Sequence, residues 1–429
     1  MIHIDCSDIK KRLSDSEFQK AWSKAEDSFL KIQKGTGDGS EWLGWRKILA
    51  DPNDAMLEQL DSLATRIRAE ADVFIVCGIG GSYLGARAVI EALTSFFDSE
   101  SGPEIIFCGH HLSGQYLKEL VEYLEKSNKE GETKSVYLNV ISKSGTTLET
   151  ALSFRVLRQW MVNQFPEDVN DRIICTTSPE GGALNELVKA NGYSKFEIPE
   201  DVGGRFSVLT PVGLLPVAVA GIDIRTLFYE AVSAFEKLED NPDSLLEYAA
   251  CKFALHEKGI SMDIITSFEP QLNFLMKWLQ QLLGESEGKE GKGMFPAVAG
   301  YSTDLHSIGQ FVQDGPRNMM ETFIQVRKTN ERVTVPGSDE NHDGLDYLFG
   351  KRFDEINTKA FEGTLRAHRE GEVPTVVVLL DELNAQHVGE FLYFYELMTA
   401  VYCYCLEVNP FNQPGVEGYK KEMYNLLGK

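Results

Sequence analysis

The sequence predicts an α/β protein of two doubly wound parallel-sheet domains, each a sheet wrapped by helices, with a helical segment before them and a helical tail after them. Three observations predict it. Short apolar, β-branched runs alternate with helical stretches along most of the chain. Many of the runs are followed by a Gly- or Ser-rich turn. The alternation breaks once, near residue 203, and then resumes. Strands alternating with helices imply crossover units, and hence a parallel sheet covered on both faces.

Taken in order, residues 1–70 read as amphipathic helices, clearest in SEFQKAWSKAEDSFLKI, and this segment is expected to pack on the second domain. The first sheet domain, 71–200, carries the runs ADVFIVC (71–77), EIIFC (104–108), VYLNVI (136–141), RIICT (172–176) and KFEI (195–198). A break at GGRFS (203–207) and TPVGLLPVAVAGID opens the second domain, 201–408. Its runs are MDIITSF (262–268), TFIQVRK (322–328) and VPTVVVLLD (373–381), separated by helical stretches at 242–258, 269–283 and 383–407. Residues 409–429 form the helical tail. No repeat period is visible, and no low-complexity linker separates the halves, so they are expected to pack against each other.

Composition narrows the function. A chain of 429 residues, 43% hydrophobic and 25% charged, suits a globular enzyme. No apolar run is long enough to span a membrane. The opening MIHIDCSDIKKRLSD lacks the apolar core and cleavage pattern of a secretion signal. The seven cysteines are an odd, scattered set, expected to be reduced core thiols. A cytoplasmic location follows as an expectation. The net charge of −23 argues against nucleic acid or an anionic membrane as partner. An anionic substrate would need a local site of backbone N–H groups and a few placed cations.

Two turns have that character. SKSGTT (142–147) lies where a strand run becomes a helix and packs four hydroxyls into six residues. One N-cap needs one hydroxyl. The others suit the several oxygens of a phosphate held at a helix N-terminus, although a capped helix after an ordinary turn remains the plain alternative. The second turn, GIGGSYLGARAV (78–89), has four glycines that let backbone approach a ligand. Position 83 is Tyr and position 82 is Ser, so neither G-x-G-x-x-G frame is complete and a dinucleotide site is not expected.

GESEGKEGKG (284–293) contains no Walker-type frame. It reads either as a solvated loop or, through Glu285, as the place where a carboxylate meets the edge of an apolar helix and can shuttle a proton. The eight histidines include no H-E-x-x-H, and the cysteines no paired C-x-x-C, so no catalytic metal is expected. DENHDG (339–344) begins like a calcium loop, but its twelfth position is Gly350; it reads as a surface loop. Arg205 could face a developing negative charge or serve in a structural ion pair. Lys420 alone would read as a surface lysine.

Together these segments resemble the bacterial type of the glucose-6-phosphate isomerase (phosphoglucose isomerase) family. The matching stretches are GIGGSYLG (78–85), SKSGTTLET (142–150), DVGGRFSVLTPVG (201–213), GESEGK (284–289), DLHSIGQ (304–310) and NQPGVEGYK (412–420). They occur in the family's order and cover almost the whole chain. The resemblance implies two sugar isomerase (SIS) domains and a homodimer, with no cofactor. It implies phosphate binding by Ser142, Ser144 and Thr147, assisted by the backbone around Lys143 and by Thr146. Gly81 and Ser82 would line the sugar site, and Gln413 would contact the substrate. Glu285 would be the base, Arg205 would face the reacting C1–C2 edge, and His306 and Lys420 would open the sugar ring. His306 would be shared across the dimer interface. Gly145 stands where the animal-type pattern has an aromatic.

The expected reaction is interconversion of glucose 6-phosphate and fructose 6-phosphate by proton transfer through a cis-enediolate, in glycolysis and gluconeogenesis. Two alternatives stay open at this level: a dual glucose/mannose phosphate isomerase, and a sugar-phosphate sensor on the same fold.

Overall fold

The computed structural model describes residues 2–97, 102–329, 332–337 and 342–428; the 339–344 loop therefore lies partly outside the described residues. Ten strands are present among them: β1 (His3–Asp5), β2 (Val73–Cys77), β3 (Glu104–Cys108), β4 (Val136–Ile141), β5 (Ile173–Thr177), β6 (Ser194–Glu197), β7 (Met262–Ser267), β8 (Phe295–Gly300), β9 (Met319–Lys328) and β10 (Thr375–Glu382). They form two five-stranded sheets, ordered β3-β2-β4-β5-β6 and β1-β10-β9-β7-β8. The first sheet is wholly parallel. The second is parallel except for β1, which pairs antiparallel with β10.

The fully apolar runs became the central strands. β2 and β4 are buried at every position, as parallel strands covered on both faces must be. Two strands lie outside the predicted runs. β1 is three residues long and mostly polar, and it turns the start of an otherwise helical segment into the edge of the second sheet. β8, FPAVAG, contains a proline and pairs only with β7; an edge strand tolerates proline because one side of its backbone needs no ladder partner.

The helix Asp15–Lys34 is bounded by local chemistry. Ser14 and Glu17 form a reciprocal capping box, and Gly35 ends the helix in the left-handed region at φ 60°. It packs against the helices Asp243–Glu257 and Ala385–Cys405. The latter is apolar nearly all round, and nearly all of it is buried. All seven cysteines are buried free thiols. No helix among the described residues is long and apolar enough to cross a membrane.

The strand order places the site. From β2 the chain goes to β3 on one side, then returns to β4 on the other. The crevice at such a switch point, beyond the carboxyl ends of the strands, is where open α/β sheets bind ligands. The turns following β2 and β4 are the two singled out above.

Candidate active site

After β4 the chain winds on its own hydroxyls. The Gly145 N–H donates to Ser142 Oγ (3.1 Å), and the Thr146 N–H and hydroxyl both reach Ser144 Oγ (3.2 and 3.0 Å). Gly145 is left-handed at φ +71°, and a Cβ there would lie 2.4 Å from the Leu184 backbone nitrogen, so an aromatic residue has no room. Thr147 occupies the N-cap of the helix Leu148–Gln164, yet its side chain makes no capping hydrogen bond. The Thr147 hydroxyl thus does not cap the helix, while the Ser142 and Ser144 oxygens accept from the turn's own backbone. Lys143 points away from the turn. Its ammonium donates to the carbonyls of Glu200 (2.7 Å) and Val202 (3.3 Å) and sits over the Trp42 ring, tying the turn to the segment that leads to Arg205. Burial lowers the Lys143 pKa, against the opposing pull of Glu200 and Asp201.

The turn after β2 lies directly on the Arg205 turn. A Cβ on Gly81 would fall 1.9 Å from the Gly204 carbonyl oxygen, so only glycine permits this backbone contact. Ser82 is half-buried beside it. Gly80 has its missing Cβ position 3.0 Å from Gln281 Nε2, which brings the helix Asn273–Glu287 to the same place.

Arg205 is the hub. It is 1% exposed, and its donors divide between two segments. Nε donates to Ser286 Oγ (2.7 Å), Nη1 to Glu285 Oε2 (3.5 Å), and Nη2 to the Pro410 carbonyl and the Asn412 carbonyl. Burial pushes the guanidinium pKa down and Glu285 pulls it back up; an arginine shifted in this way is still a cation at neutral pH.

Glu285 is not in a loop after the helix, as the spacing of apolar residues suggested. The helix runs on through Glu287, placing Glu285 in its last turn. Oε1 accepts from Gln281 Nε2 (3.1 Å), one turn earlier, and Oε2 accepts from Gln413 Nε2 (2.7 Å). The side chain keeps 32% exposure, so a ligand can reach it. Lys289 stands nearby, donating to the Asn409 carbonyl; burial, with Arg205 adding, lowers its pKa to about 8. Gln281, Ser286 and Lys289 were not singled out from the sequence. Gln281 had one available signal, its place four residues before Glu285 on a helical stretch.

The hydroxyls of Ser142, Ser144 and Thr146 bond within their own turn, and His306 and Lys420 also stand apart from this cluster. His306 is exposed, in a short turn after β8. The helix bearing Glu285 runs back to the start of β8, whose six residues then carry the chain roughly 20 Å onward at about 3.3 Å per residue. His306 therefore lies at the opposite end of the second sheet from its own chain's Glu285. Lys420 sits on the helix Glu417–Leu426, no residue of which is buried, and its ammonium pairs with Glu417 (3.1 Å).

A model of the phosphoglucose isomerase family matches residues 64–427. The chain is 45% identical to glucose-6-phosphate isomerase of Staphylococcus saprophyticus over 433 residues, covering all of this chain and 96% of that one. Among solved structures it resembles a hypothetical protein of Thermus thermophilus, with a TM-score of 0.88 and 26% identity over the whole of both chains. A glucose-6-phosphate isomerase of Chlamydia trachomatis shares the fold, with a TM-score of 0.78 at 18% identity, covering 97% of this chain and 87% of that one. By the family match and by its full-length likeness to the staphylococcal enzyme, this chain belongs to the phosphoglucose isomerase family.

Proposed function

We propose that this chain, an aldose–ketose isomerase, interconverts glucose 6-phosphate and fructose 6-phosphate with Glu285 moving a proton between C1 and C2. The observation that carries the reading is the convergence of Arg205, Glu285 and Gln413 beside the Gly80–Ser82 turn. A carboxylate and a buried guanidinium at one exposed point suit an enediolate, whose proton and negative charge they would respectively exchange and offset.

The phosphate does not react. Ser142, Ser144, Thr146 and Thr147, with the backbone near Lys143 and the N-terminus of the helix Leu148–Gln164, anchor it, and that binding orients C1 and C2. Gly81 and Ser82 line the sugar, and Gln413 and Gln281 hold Glu285 at both oxygens. The ring must open first: a proton leaves O1 and another reaches O5. His306 and Lys420 take these roles. Because His306 lies at the far end of its own second sheet, it serves the partner's site in a homodimer, and the terminal helix brings Lys420 in from the tail. Such an enzyme acts in the cytoplasm.

The test is exchange of the substrate's C2 hydrogen with solvent. Glu285→Gln should abolish exchange while phosphosugar binding stays nearly intact. Exchange at the wild-type rate would remove Glu285 as the base.

A further inference from the structure

Behind the site, three ionisable side chains meet with no exposed surface: Lys252 on the helix Asp243–Glu257, Asp263 in β7, and Glu287, the last residue of the Glu285 helix. Lys252 Nζ donates to Asp263 Oδ2 (3.0 Å) and Glu287 Oε1 (3.2 Å), and it lies 4.8 Å from the centroid of the Tyr402 ring. The other oxygens are also filled. The Met294 N–H donates to Glu287 Oε2 (2.9 Å), and the Thr322 hydroxyl donates to Asp263 Oδ1 (2.8 Å). Burial raises the Glu287 pKa, and Lys252 opposes it.

Such a cluster is a poor device for stability alone, since desolvation offsets its attraction and apolar replacements often serve as well. Its location suggests another use. Glu287 adjoins Ser286, which holds Arg205, and stands two residues from Glu285. After it comes a glycine-rich stretch, with Gly291 and Gly293 at positive φ, that would leave the helix end free to fray. The Glu287–Met294 bond closes that stretch, and Lys252 ties the helix end to the sheet through Asp263.

We propose that Lys252 is a positioning residue for the isomerase reaction: by gripping Asp263 and Glu287 it fixes the last turn of the helix Asn273–Glu287, so that Glu285 and the Ser286-held Arg205 face the same sugar atoms. This rests on the reading of Glu285 and Arg205 given above. Lys252 touches neither substrate nor reacting atoms. Its loss should act on the turnover step, because a displacement of about 1 Å at a catalytic group costs on the order of a hundredfold.

The experiment compares Lys252→Met, which keeps length without charge, with Lys252→Arg, in the full-length chain. Rates are normalised to folded protein by circular dichroism and a thermal melt. Lys252→Met should lower kcat by about ten- to a hundredfold with KM within about threefold, and Lys252→Arg should recover most of the loss. Wild-type kcat in folded Lys252→Met, with only the melting temperature lowered, overturns the inference, as does a change confined to KM. If Lys252→Met does not fold, Glu287→Gln decides by the same criteria: a lower kcat at unchanged KM supports the inference, and wild-type kcat overturns it. Glu285→Gln runs in parallel. If it stays active, the catalytic reading itself is wrong; if it is dead while folded Lys252→Met is fully active, only the positioning role falls.

Discussion

The 142–147 turn and the Arg205–Glu285–Gln413 cluster are built in opposite ways. The turn is contiguous. The bonds its hydroxyls make span two or three residues, from Gly145 to Ser142 and from Thr146 to Ser144, while Thr177 and Lys143 moor its backbone to more distant segments. The cluster is assembled from distant parts of the chain: Arg205 reaches Glu285, 80 residues away, and Pro410, 205 residues away. A contiguous turn brings its hydroxyls together within one short segment, which suits the proposed task of holding a phosphate that does not change. A cluster from three distant segments exists only when everything between them is packed, and it suits the task of placing groups to within a fraction of an ångström.

The comparison predicts that damage to the cluster lowers turnover and damage to the turn lowers binding. The largest effect is expected for Arg205→Lys. An ammonium cannot reproduce the fork that joins Ser286, Glu285 and the 410–412 carbonyls, so kcat should fall about a hundred- to a thousandfold. A fall in kcat/KM caused by KM alone would show that Arg205 binds rather than stabilises.

Next comes a test of where His306 acts. His306→Ala should lose about a hundredfold in rate on ring-closed substrate. Mixed and refolded with Glu285→Gln, it should regain about a quarter of wild-type activity, because half of random dimers are mixed and each then has one intact site out of two. No recovery would place His306 in its own chain's site and contradict the distance along β8.

Thr147→Val should be milder. Removing one hydroxyl from a charged phosphate costs about 1.5–3 kcal/mol, which should raise KM by about ten- to a hundredfold with kcat nearly unchanged. A kcat loss of the same size would merge the two regions into one.

The smallest effect concerns Lys289. Its ammonium loses its proton as pH rises through about 8. The attraction for an anionic substrate then weakens, so kcat/KM should fall several-fold between about pH 7 and 9, and Lys289→Met should flatten that limb. Unfolding does not explain such a loss. The unfolded lysine keeps its proton up to the ordinary value of 10.5, so between about 8 and that value the unfolded chain binds more protons and this group makes stability rise with pH.

Legibility in the sequence followed the same divide. The long apolar runs became β2, β4, β5, β7, β9 and β10, because burial on both faces leaves an unmistakable pattern. β1 and β8 escaped because edge strands need neither length nor apolarity, and Pro296 argues against a strand unless its edge position is known. The helix end at Glu287 was read several residues short because Gly284, Glu285 and Ser286 resemble a loop; Lys252 and Asp263, buried against Glu287, extend it.

Fold class and the family were readable from the letters alone, and so was the position of the two turns at strand ends, since each rests on patterns local to a strand, a turn or a motif. Packing of the whole chain fixed the rest: that Gly81 rests on the Gly204 carbonyl, that Gln281 and Gln413 clasp one carboxylate from two sides, and that His306 stands a sheet's length from its own Glu285. Local patterns follow from propensity and burial within a few residues. Convergence of distant side chains follows from the stacking of entire layers, to which every segment of the chain contributes.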